Sequence, residues 1–307
     1  MRCLAGLLLA VPLLAQPSVP RPEILGVAHM ALYVGDLAKT RAFYEDFLGY
    51  EEAFTLPKDD GSVRIVFVKI NDRQYLELFH DPSPDGDRLS HISIQTDDAV
   101  RMRAYLASRG VRVPAEVPTG RIGNRNFNIK DPDGHMVEIV EYRPDGWSVQ
   151  NNGKHMPASR ISANMMHVGI LVGNLNAAVT FYTGILGFQE FWRGSAANSE
   201  TLSWVNMRVP DGQDYIEFML YRDLPAPDRR GTAHHICLVV PDIQKAVEAL
   251  EARPARKDYT RPIEIHTGIN RKRQVNLYDP DGTRIELMEP NTVDGKPAPA
   301  STLPPPR

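Results

Sequence analysis

The chain contains two copies of one sequence pattern, and this duplication limits its fold more than any other feature. The segment HMALYVGDLAKTRAFYEDFLGY (29–50) recurs as HVGILVGNLNAAVTFYTGILGF (167–188), with His, Val, Gly, Leu, Phe-Tyr and Leu-Gly at the same spacing. Two further pairs follow in the same order, SHISIQTDD with HHICLVVPD and then one DPDG tetrapeptide in each half. A chain of 307 residues is long enough for two cores, so we expect two halves of the same fold.

Hydrophobic periodicity gives each half the order strand, helix and three strands, twice over. In both copies of the first segment, a strand precedes a helix that begins after an N-cap residue, Asp36 or Asn174, and ends near Gly49 or Gly187. We therefore predict an α+β fold of four βαβββ modules, two in each half. In the first half, helices are expected near 36–48 and 97–109, and strands near 27–34, 51–56, 63–70, 74–80, 90–96, 111–116, 125–130 and 135–142.

The repeats and the segments around them predict the domain organisation. Residues 25–143 and 164–290 are the expected N-terminal and C-terminal domains, and a polar linker with several Gly and Pro residues joins them at 144–163. Residues 291–307 are rich in proline and poor in large apolar residues, which predicts a disordered tail.

Residues 1–15 resemble a secretory signal peptide. Arg2 precedes an uncharged apolar run from Cys3 to Ala15, which is shorter than a membrane span requires. We expect cleavage after Ala15, a secreted or periplasmic protein and no stable membrane insertion; the alternative is an uncleaved N-terminal anchor. Cleavage would leave Cys237 as the only cysteine, and therefore no intrachain disulfide.

The charge distribution argues against nucleic acid as a partner. The formal net charge is −3, and no basic stripe runs along the chain. With 42% hydrophobic and 24% charged residues, the composition is that of a soluble globular protein.

Histidine and glutamate recur at matching strand positions in the two halves. His29 lies on the strand face opposite the main apolar stripe, and Glu138 lies within an apolar run between Val137 and Ile139. A carboxylate in such a position is costly unless it is paired or bound to a metal ion. The complete sets are His29, Glu77, His91 and Glu138 in the first half, and His167, Glu217, His235 and Glu286 in the second.

Two imidazoles and two carboxylates on one sheet face suit a divalent ion such as Zn, Ni, Mn, Fe or Co. A single strand histidine is more often structural, and a single mid-strand glutamate can lie on an exposed face. Because all four residues recur in a diverged second half, we predict one metal centre in each half, with loss of one centre as the alternative. The residues expected to line the adjoining pockets are Tyr33, Tyr75, Phe79, Tyr215 and Met219, with His266 near the second centre.

These motifs resemble the vicinal oxygen chelate superfamily, which includes glyoxalase I, bleomycin and fosfomycin resistance proteins, extradiol dioxygenases and methylmalonyl-CoA epimerase. The resemblance rests on the first-strand His with Phe-Tyr and Leu-Gly at fixed distances, and on the DPDG-x-x-x-E ending. It covers roughly residues 25–143 and 164–290. It implies that paired modules form an incomplete, curled β-barrel with flanking helices around a divalent metal ion that chelates vicinal oxygens of a small-molecule substrate.

The resemblance leaves the reaction open among three kinds of protein. The leading hypothesis is a glyoxalase-like lyase or isomerase in which Glu138 or Glu286, or else Glu77 or Glu217, moves a proton. The second is an iron-dependent extradiol-type dioxygenase, although Asn128 and Asn276 occupy the positions where those enzymes typically carry Tyr. The third is a resistance-type protein that binds a small molecule without chemistry. We expect each site to be built within one half, in a monomer or a homodimer.

Overall fold

The computed structural model describes residues 19–306, so the predicted signal peptide at 1–15 lies outside the described part. The N-terminal half contains seven strands and three helical elements. Its strands are β1 (Ile24–Tyr33), β2 (Glu51–Pro57), β3 (Val63–Lys69), β4 (Tyr75–Phe79), β5 (Leu89–Thr96), β6 (Arg125–Lys130) and β7 (Met136–Glu141). Its helices are α1 (Leu37–Arg41), which continues as a π-helical segment (Ala42–Phe47), α2 (Ala99–Ser108) and the short α3 (Trp147–Gln150).

The C-terminal half repeats this order with one additional short strand. Its strands are β8 (Met165–Val172), β9 (Gln189–Gly194), β10 (Trp204–Arg208), β11 (Tyr215–Leu220), β12 (His235–Val239), β13 (His266–Thr267), β14 (Lys272–Tyr278) and β15 (Arg284–Thr292). Its α-helices are α4 (Leu175–Tyr182) and α5 (Ile243–Glu251), and two 3₁₀ turns lie at Pro227–Arg229 and Pro254–Asp258. None of the helices in residues 19–306 has the length and apolarity needed to cross a membrane.

Each half forms one curled sheet, which confirms the predicted α+β fold of two repeated domains. The strand order is β2-β3-β4-β1-β5-β7-β6 in the first sheet and β13-β14-β15-β12-β8-β11-β10-β9 in the second. In both sheets the first strand of one module pairs antiparallel with the first strand of the next, β1 with β5 and β8 with β12. Because these pairs join two modules within one half, each half closes around its own inner face.

The helix starts follow the predicted capping chemistry. The Asp36 side chain accepts hydrogen bonds from the N–H groups of Ala38 and Lys39, and the Asn174 side chain accepts one from Ala177. These side chains satisfy N–H groups that have no partner within the helix. Gly49 and Gly187 follow the two helices with φ of 79° and 82°, a backbone conformation that favours glycine.

Two predicted features differ in the structure. Residues 111–116 were expected to be a strand but form none, because Pro114 and the nearby Pro118 lack the N–H group that a ladder requires. The second module of the N-terminal half is therefore βαββ, and its counterpart in the C-terminal half has only the two-residue β13 at this point.

The C-terminal segment also differs from its prediction, since residues 291–306 make defined contacts rather than forming a disordered tail. The Ser301 N–H group donates to the carbonyl oxygen of Arg193, and the Leu202 N–H group donates to the carbonyl oxygen of Pro304. A proline-rich chain cannot donate many backbone hydrogen bonds, but its carbonyl oxygens can accept them. Residues 301–304 therefore contact the end of β9 and the loop that follows it.

The two halves share one hydrophobic core and are cross-linked by the repeated DPDG turns. The Tyr44 hydroxyl of the N-terminal half donates to Asp279 Oδ2 of the C-terminal half (3.2 Å). In return, the Tyr182 hydroxyl of the C-terminal half donates to Asp131 Oδ2 of the N-terminal half (3.1 Å). The second aspartate of each turn accepts a hydrogen bond from the N–H group of Gly35 or Gly173 across the same interface. The recurring Tyr, Gly and DPDG residues therefore connect the halves, and buried apolar residues of both belong to one continuous cluster.

Candidate metal centres

Four strands of the N-terminal sheet each direct one side chain to a common point on the inner face. β1 supplies His29, β4 supplies Glu77, β5 supplies His91 and β7 supplies Glu138, and all four residues are buried. The His29 Nε2 atom lies 3.0 Å from His91 Nε2, 3.4 Å from Glu77 Oε1 and 3.5 Å from Glu138 Oε1. The structure therefore brings together the four residues predicted to be ligands in this half.

The C-terminal sheet places its four residues in the same way. His167 comes from β8, Glu217 from β11, His235 from β12 and Glu286 from β15, and all are buried. The two Nε2 atoms are 3.1 Å apart, His235 Nε2 lies 3.4 Å from Glu217 Oε2, and His167 Nε2 lies 3.4 Å from Glu286 Oε2. Each set is assembled within its own half, and no residue is exchanged between the two.

The spacing of the donor atoms fits a single ion in each half. Donors that lie about 2.1 Å from one ion are separated from each other by roughly 3 to 4 Å. The distances given above lie in this range. The second ring nitrogen of His235 lies 3.0 Å from the carbonyl oxygen of Ala233, and that of His91 lies 3.1 Å from Ser90 Oγ. Such contacts fix the ring so that Nε2 is free to bind a metal ion.

The electrostatics of the buried side chains also favour a cation. Burial lowers the pKa of His91 to about 4 and that of His167 to about 3, so both imidazoles are neutral near pH 7. Burial raises the pKa of Glu138 and of Glu286 to about 7. Burial and the neighbouring Glu138 charge raise the pKa of Glu77 well above its ordinary value. Neutral imidazoles beside carboxyl groups that resist ionisation form a donor set that a divalent ion would stabilise.

The two centres differ in the groups that contact Glu138 on β7 and Glu286 on β15. The Ser93 hydroxyl donates to Glu138 Oε1 (3.1 Å), and the Asn126 amide donates to Glu138 Oε2 (2.7 Å). In the C-terminal sheet Cys237 occupies the place of Ser93, paired with Glu286 in the strand register. Its sulfur lies close enough to His167 and Glu286 to form a second grouping of metal-binding side chains.

The centres also face cavities of very different size. His29, Glu77 and Glu138 line a cavity of about 30 Å³, which is room for roughly one water molecule. Glu217 and Glu286 line a cavity of about 330 Å³, within the range of small-molecule sites. A ligand of substrate size therefore has access only to the second of these two spaces.

The predicted pocket residues lie in several places. Tyr75 lines the small cavity of the N-terminal half, whereas Tyr33 and Phe79 line a separate surface groove of about 490 Å³ that touches none of the four nearby ligands. Tyr215 is buried against His167, with ring centroids 4.5 Å apart, and Met219 pairs with Trp204 in the sheet. Among the described residues, neither Tyr215 nor Met219 lines the large cavity, but His266 does.

Several residues that line the large cavity were not among the predicted pocket residues. Arg284 lies on β15 two residues before Glu286, and Gln274 and Asn276 lie opposite on β14. Strand alternation could have found Arg284, because residues two apart on a strand share a face. It was missed because a basic residue next to a tight turn resembles an ordinary exposed position.

Comparison with known families identifies the fold. A family model described as the Glyoxalase/Bleomycin resistance protein/Dioxygenase superfamily matches residues 26–139 and 164–287, well over half of the chain. The chain belongs to this superfamily. The resemblance drawn from the duplicated motifs is therefore confirmed, and the two matches correspond to the two halves described above.

Related sequences in the superfamily include lactoylglutathione lyases. The enzyme of that name from Neisseria meningitidis serogroup A (strain DSM 15465 / Z2491) is 27% identical over 129 residues, which is 39% of this chain and 94% of the relative. A probable chloroplastic lactoylglutathione lyase from Arabidopsis thaliana is 22% identical over 270 residues, which is 85% of this chain and 72% of the relative.

Solved structures with the same fold include both a dioxygenase and a glyoxalase. The 2,3-dioxygenase LapB from Pseudomonas sp. KL28 superposes with a TM-score of 0.67 at 17% identity, covering 91% of this chain and 97% of that structure. The Mn(II)-bound glyoxalase from Novosphingobium aromaticivorans superposes with a TM-score of 0.63 at 18% identity, covering 87% and 83%. At these identities the likeness concerns the fold.

Proposed function

We propose that the chain is a divalent-metal-dependent, glyoxalase-like enzyme that moves a proton at a carbon next to an oxygen-bearing carbon of a small substrate. It would thus be a lyase or an isomerase. The observation that carries this proposal is the pair of carboxylates in each quartet, of which Glu217 and Glu286 both line a cavity of substrate size. A positioned carboxylate at such a place can accept and return a proton.

The side chains have separate roles in this proposal. His167, His235, Glu217 and Glu286 would hold an ion that polarises a substrate oxygen and so acidifies the neighbouring C–H bond. Glu217 or Glu286 accepts that proton and returns it to the adjacent carbon, since both carboxylates reach the cavity. The buried imidazoles have no such access, so they serve as ligands rather than as bases.

Two features favour proton transfer over ring cleavage. Iron-dependent dioxygenases typically bind the metal ion through two histidines and one carboxylate, which leaves positions for dioxygen and substrate. Here Glu217 adds a fourth side chain to the set. In addition, Asn276 stands where the resemblance places a Tyr in the dioxygenases. A complete set of four metal-binding side chains also favours chemistry over binding alone.

The experiment that tests the proposal is solvent deuterium exchange. Protein reconstituted separately with Zn²⁺, Ni²⁺, Mn²⁺, Fe²⁺ or Co²⁺ is incubated in D₂O with a panel of small 2-hydroxyaldehydes and 2-hydroxyketones, and deuterium incorporation is followed by NMR. We expect exchange with at least one ion and no oxygen uptake at an oxygen electrode. Glu217→Gln or Glu286→Gln should lower the exchange rate by about 10²-fold or more.

Three results would decide against it. Oxygen consumption with catechols after Fe²⁺ loading would place the dioxygenase first. Saturable binding that neither glutamine variant alters, without exchange, would indicate a binding protein. Exchange that Glu286→Gln and Glu217→Gln leave unchanged would move the reaction away from this cavity.

We also propose that the chain is exported, on the basis of the apolar run that ends at Ala15. Mass spectrometry of the protein from a bacterial expression host with an intact export pathway tests this. The expected mass is that of a chain beginning at Gln16, found outside the cytoplasm, and a full-length cytoplasmic protein would contradict it.

A further inference from the structure

The inner face of the N-terminal sheet is filled by its own side chains. Phe67 lies across from Glu77, and with Leu56, Ile65 and Tyr75 it forms a separate buried apolar cluster over the centre. The linker helix α3 closes this cluster, because the Tyr75 hydroxyl donates to the Ser148 carbonyl oxygen (3.4 Å) and the Trp147 ring packs edge-on against Phe54. These residues explain why only about 30 Å³ remains there.

The corresponding positions of the C-terminal sheet are polar or differently shaped. Asn206 pairs with Glu217 where Phe67 pairs with Glu77, and Gly194 stands opposite Trp204 where Leu56 stands opposite Ile65. The inner face is therefore open, which leaves the cavity of about 330 Å³.

Several buried polar atoms around the large cavity have no hydrogen-bond partner within the described residues. Both donors and acceptors are among them. The donors are Trp192 Nε1 and Arg284 Nε, and the acceptors are Gln274 Oε1 and Asn276 Oδ1. Buried polar groups are nearly always paired in folded proteins, because an unpaired one costs free energy. The residues that carry them give the cavity a polar wall, which favours a polar ligand.

Arg284 is the strongest of these groups. Its Nη2 atom lies 2.8 Å from His235 Nδ1, but the same Nδ1 atom lies 3.0 Å from the Ala233 carbonyl oxygen. When His235 Nε2 binds an ion, Nδ1 carries the proton and donates a hydrogen bond to the Ala233 carbonyl oxygen. The Nδ1 atom then offers Arg284 no lone pair. The guanidinium then needs another acceptor at the cavity, and a carboxylate matches its paired N–H groups.

The C-terminal centre also has more positive charge around it than the N-terminal centre. The repeat places Arg284 where the N-terminal half has Met136, and Lys272 where it has Asn124. Arg284 Nη2 lies 2.8 Å from His235 Nδ1 and Arg284 lines the cavity, so its positive charge lies beside the C-terminal centre. With a divalent ion balancing the two glutamates, the C-terminal site is left with excess positive charge and the N-terminal site is not.

We propose that the C-terminal cavity binds a carboxylate-bearing ligand whose anionic end pairs with Arg284, and that the N-terminal centre binds no substrate. This inference rests on the proposed function, because it names the ligand class of that same cavity. In this account the N-terminal ion would stabilise the fold, and chemistry would occur in one half only.

The test compares two probes that share a vicinal diol and differ by one carboxylate. Zn²⁺-loaded full-length protein is titrated by calorimetry with catechol and with 3,4-dihydroxybenzoate. We expect one binding site per chain and at least about tenfold tighter binding of 3,4-dihydroxybenzoate. Arg284→Met, which copies the N-terminal residue, should abolish this preference while the metal content stays unchanged. Arg284→Lys should keep part of the preference, because it keeps the charge.

The matched control is Arg273→Met, since Arg273 lies next to Lys272 but pairs with Glu289 away from the cavity. It removes the same charge and should leave the preference intact. Equal affinity for both probes in the wild type, or a preference that survives Arg284→Met, would overturn the inference. Two probe sites per chain would overturn the exclusion of the N-terminal centre. Absence of deuterium exchange would refute the proposed reaction but would leave the carboxylate preference as a separate result.

Discussion

Glu138 is a buried carboxylate in a strand that otherwise supplies the core, and its immediate contacts show how the fold accommodates it. Ser93 and Asn126 each donate a hydrogen bond to one of its oxygens. These bonds orient the carboxylate and leave its side nearest His29 free. On that side Oε1 lies 3.5 Å from the imidazole Nε2. Residues that orient a ligand in this way strengthen metal binding without touching the ion.

At the residue scale we therefore predict that Asn126→Ala lowers the metal affinity of the N-terminal centre about 10- to 100-fold. Competition titration with a chelator measures this, and the C-terminal centre in the same protein provides an internal reference. Asn152→Ala, at an exposed linker asparagine, is the matched control. An unchanged affinity after Asn126→Ala would show that the amide does not position the glutamate.

Single residues also show which parts of the site could be predicted from the sequence. The eight histidines and glutamates could be predicted because their type and strand parity recur in two diverged halves. The repeat does not single out Arg284, since its counterpart Met136 is apolar, and only its place two residues before Glu286 indicates that it shares the inner face. A residue that makes the halves different is invisible to reasoning that depends on their similarity.

At the scale of elements, equivalent strands of the two halves carry different side chains on their inner faces. In the N-terminal half β2, β3 and β4 carry apolar side chains inward, and α3 covers them. In the C-terminal half β9 and β10 carry Trp192, Trp204 and Asn206, and the inner face stays open. The same backbone therefore gives a filled centre and an accessible one.

This difference predicts unequal effects of matched truncations. Phe67→Ala should lower the free energy of unfolding by about 3–5 kcal/mol, because it leaves a cavity in a packed cluster. Asn206→Ala, at the equivalent position, should cost less than about 1 kcal/mol, since its Oδ1 atom has no partner in the described structure. Urea denaturation measures both, and equal losses would contradict the contrast between the two faces.

Strand and helix positions followed from periodicity, except where backbone chemistry intervened. The segment near Pro114 reads as alternating but lacks the N–H groups for a ladder, so periodicity alone was misleading there. The contacts of residues 291–306 were not predictable from composition, because they depend on an unpaired edge that only the folded sheet presents.

At the scale of the whole molecule, the DPDG turns hold the halves together, and one of them contains a carboxyl group whose ionisation is disfavoured by burial. Burial raises the pKa of Asp279 to about 6, although Tyr44 and the Thr283 N–H group donate to it. Its ordinary value in an unfolded chain is about 3.9. Between about pH 4 and pH 6 the folded state binds a proton that the unfolded state does not, so stability from this group falls as pH rises.

We predict that this group lowers the unfolding free energy of the wild type by about 3 kcal/mol between pH 4 and pH 7. Asp279→Asn should lack this component, so its stability relative to the wild type should increase with pH. Tyr44→Phe removes the hydrogen bond but keeps the carboxyl group, and it should retain the pH dependence. Urea denaturation at several pH values measures this, and identical profiles for wild type and Asp279→Asn would contradict it.

The central claim, two independent metal centres in one chain, is tested most directly by elemental analysis. The protein is purified without an immobilised-nickel step, reconstituted, and analysed for metal per chain. We predict a value near two, which falls to one in His29→Ala/His91→Ala and also to one in His167→Ala/His235→Ala. A chain that binds no divalent ion after reconstitution, or a value that neither double variant lowers, would contradict the account.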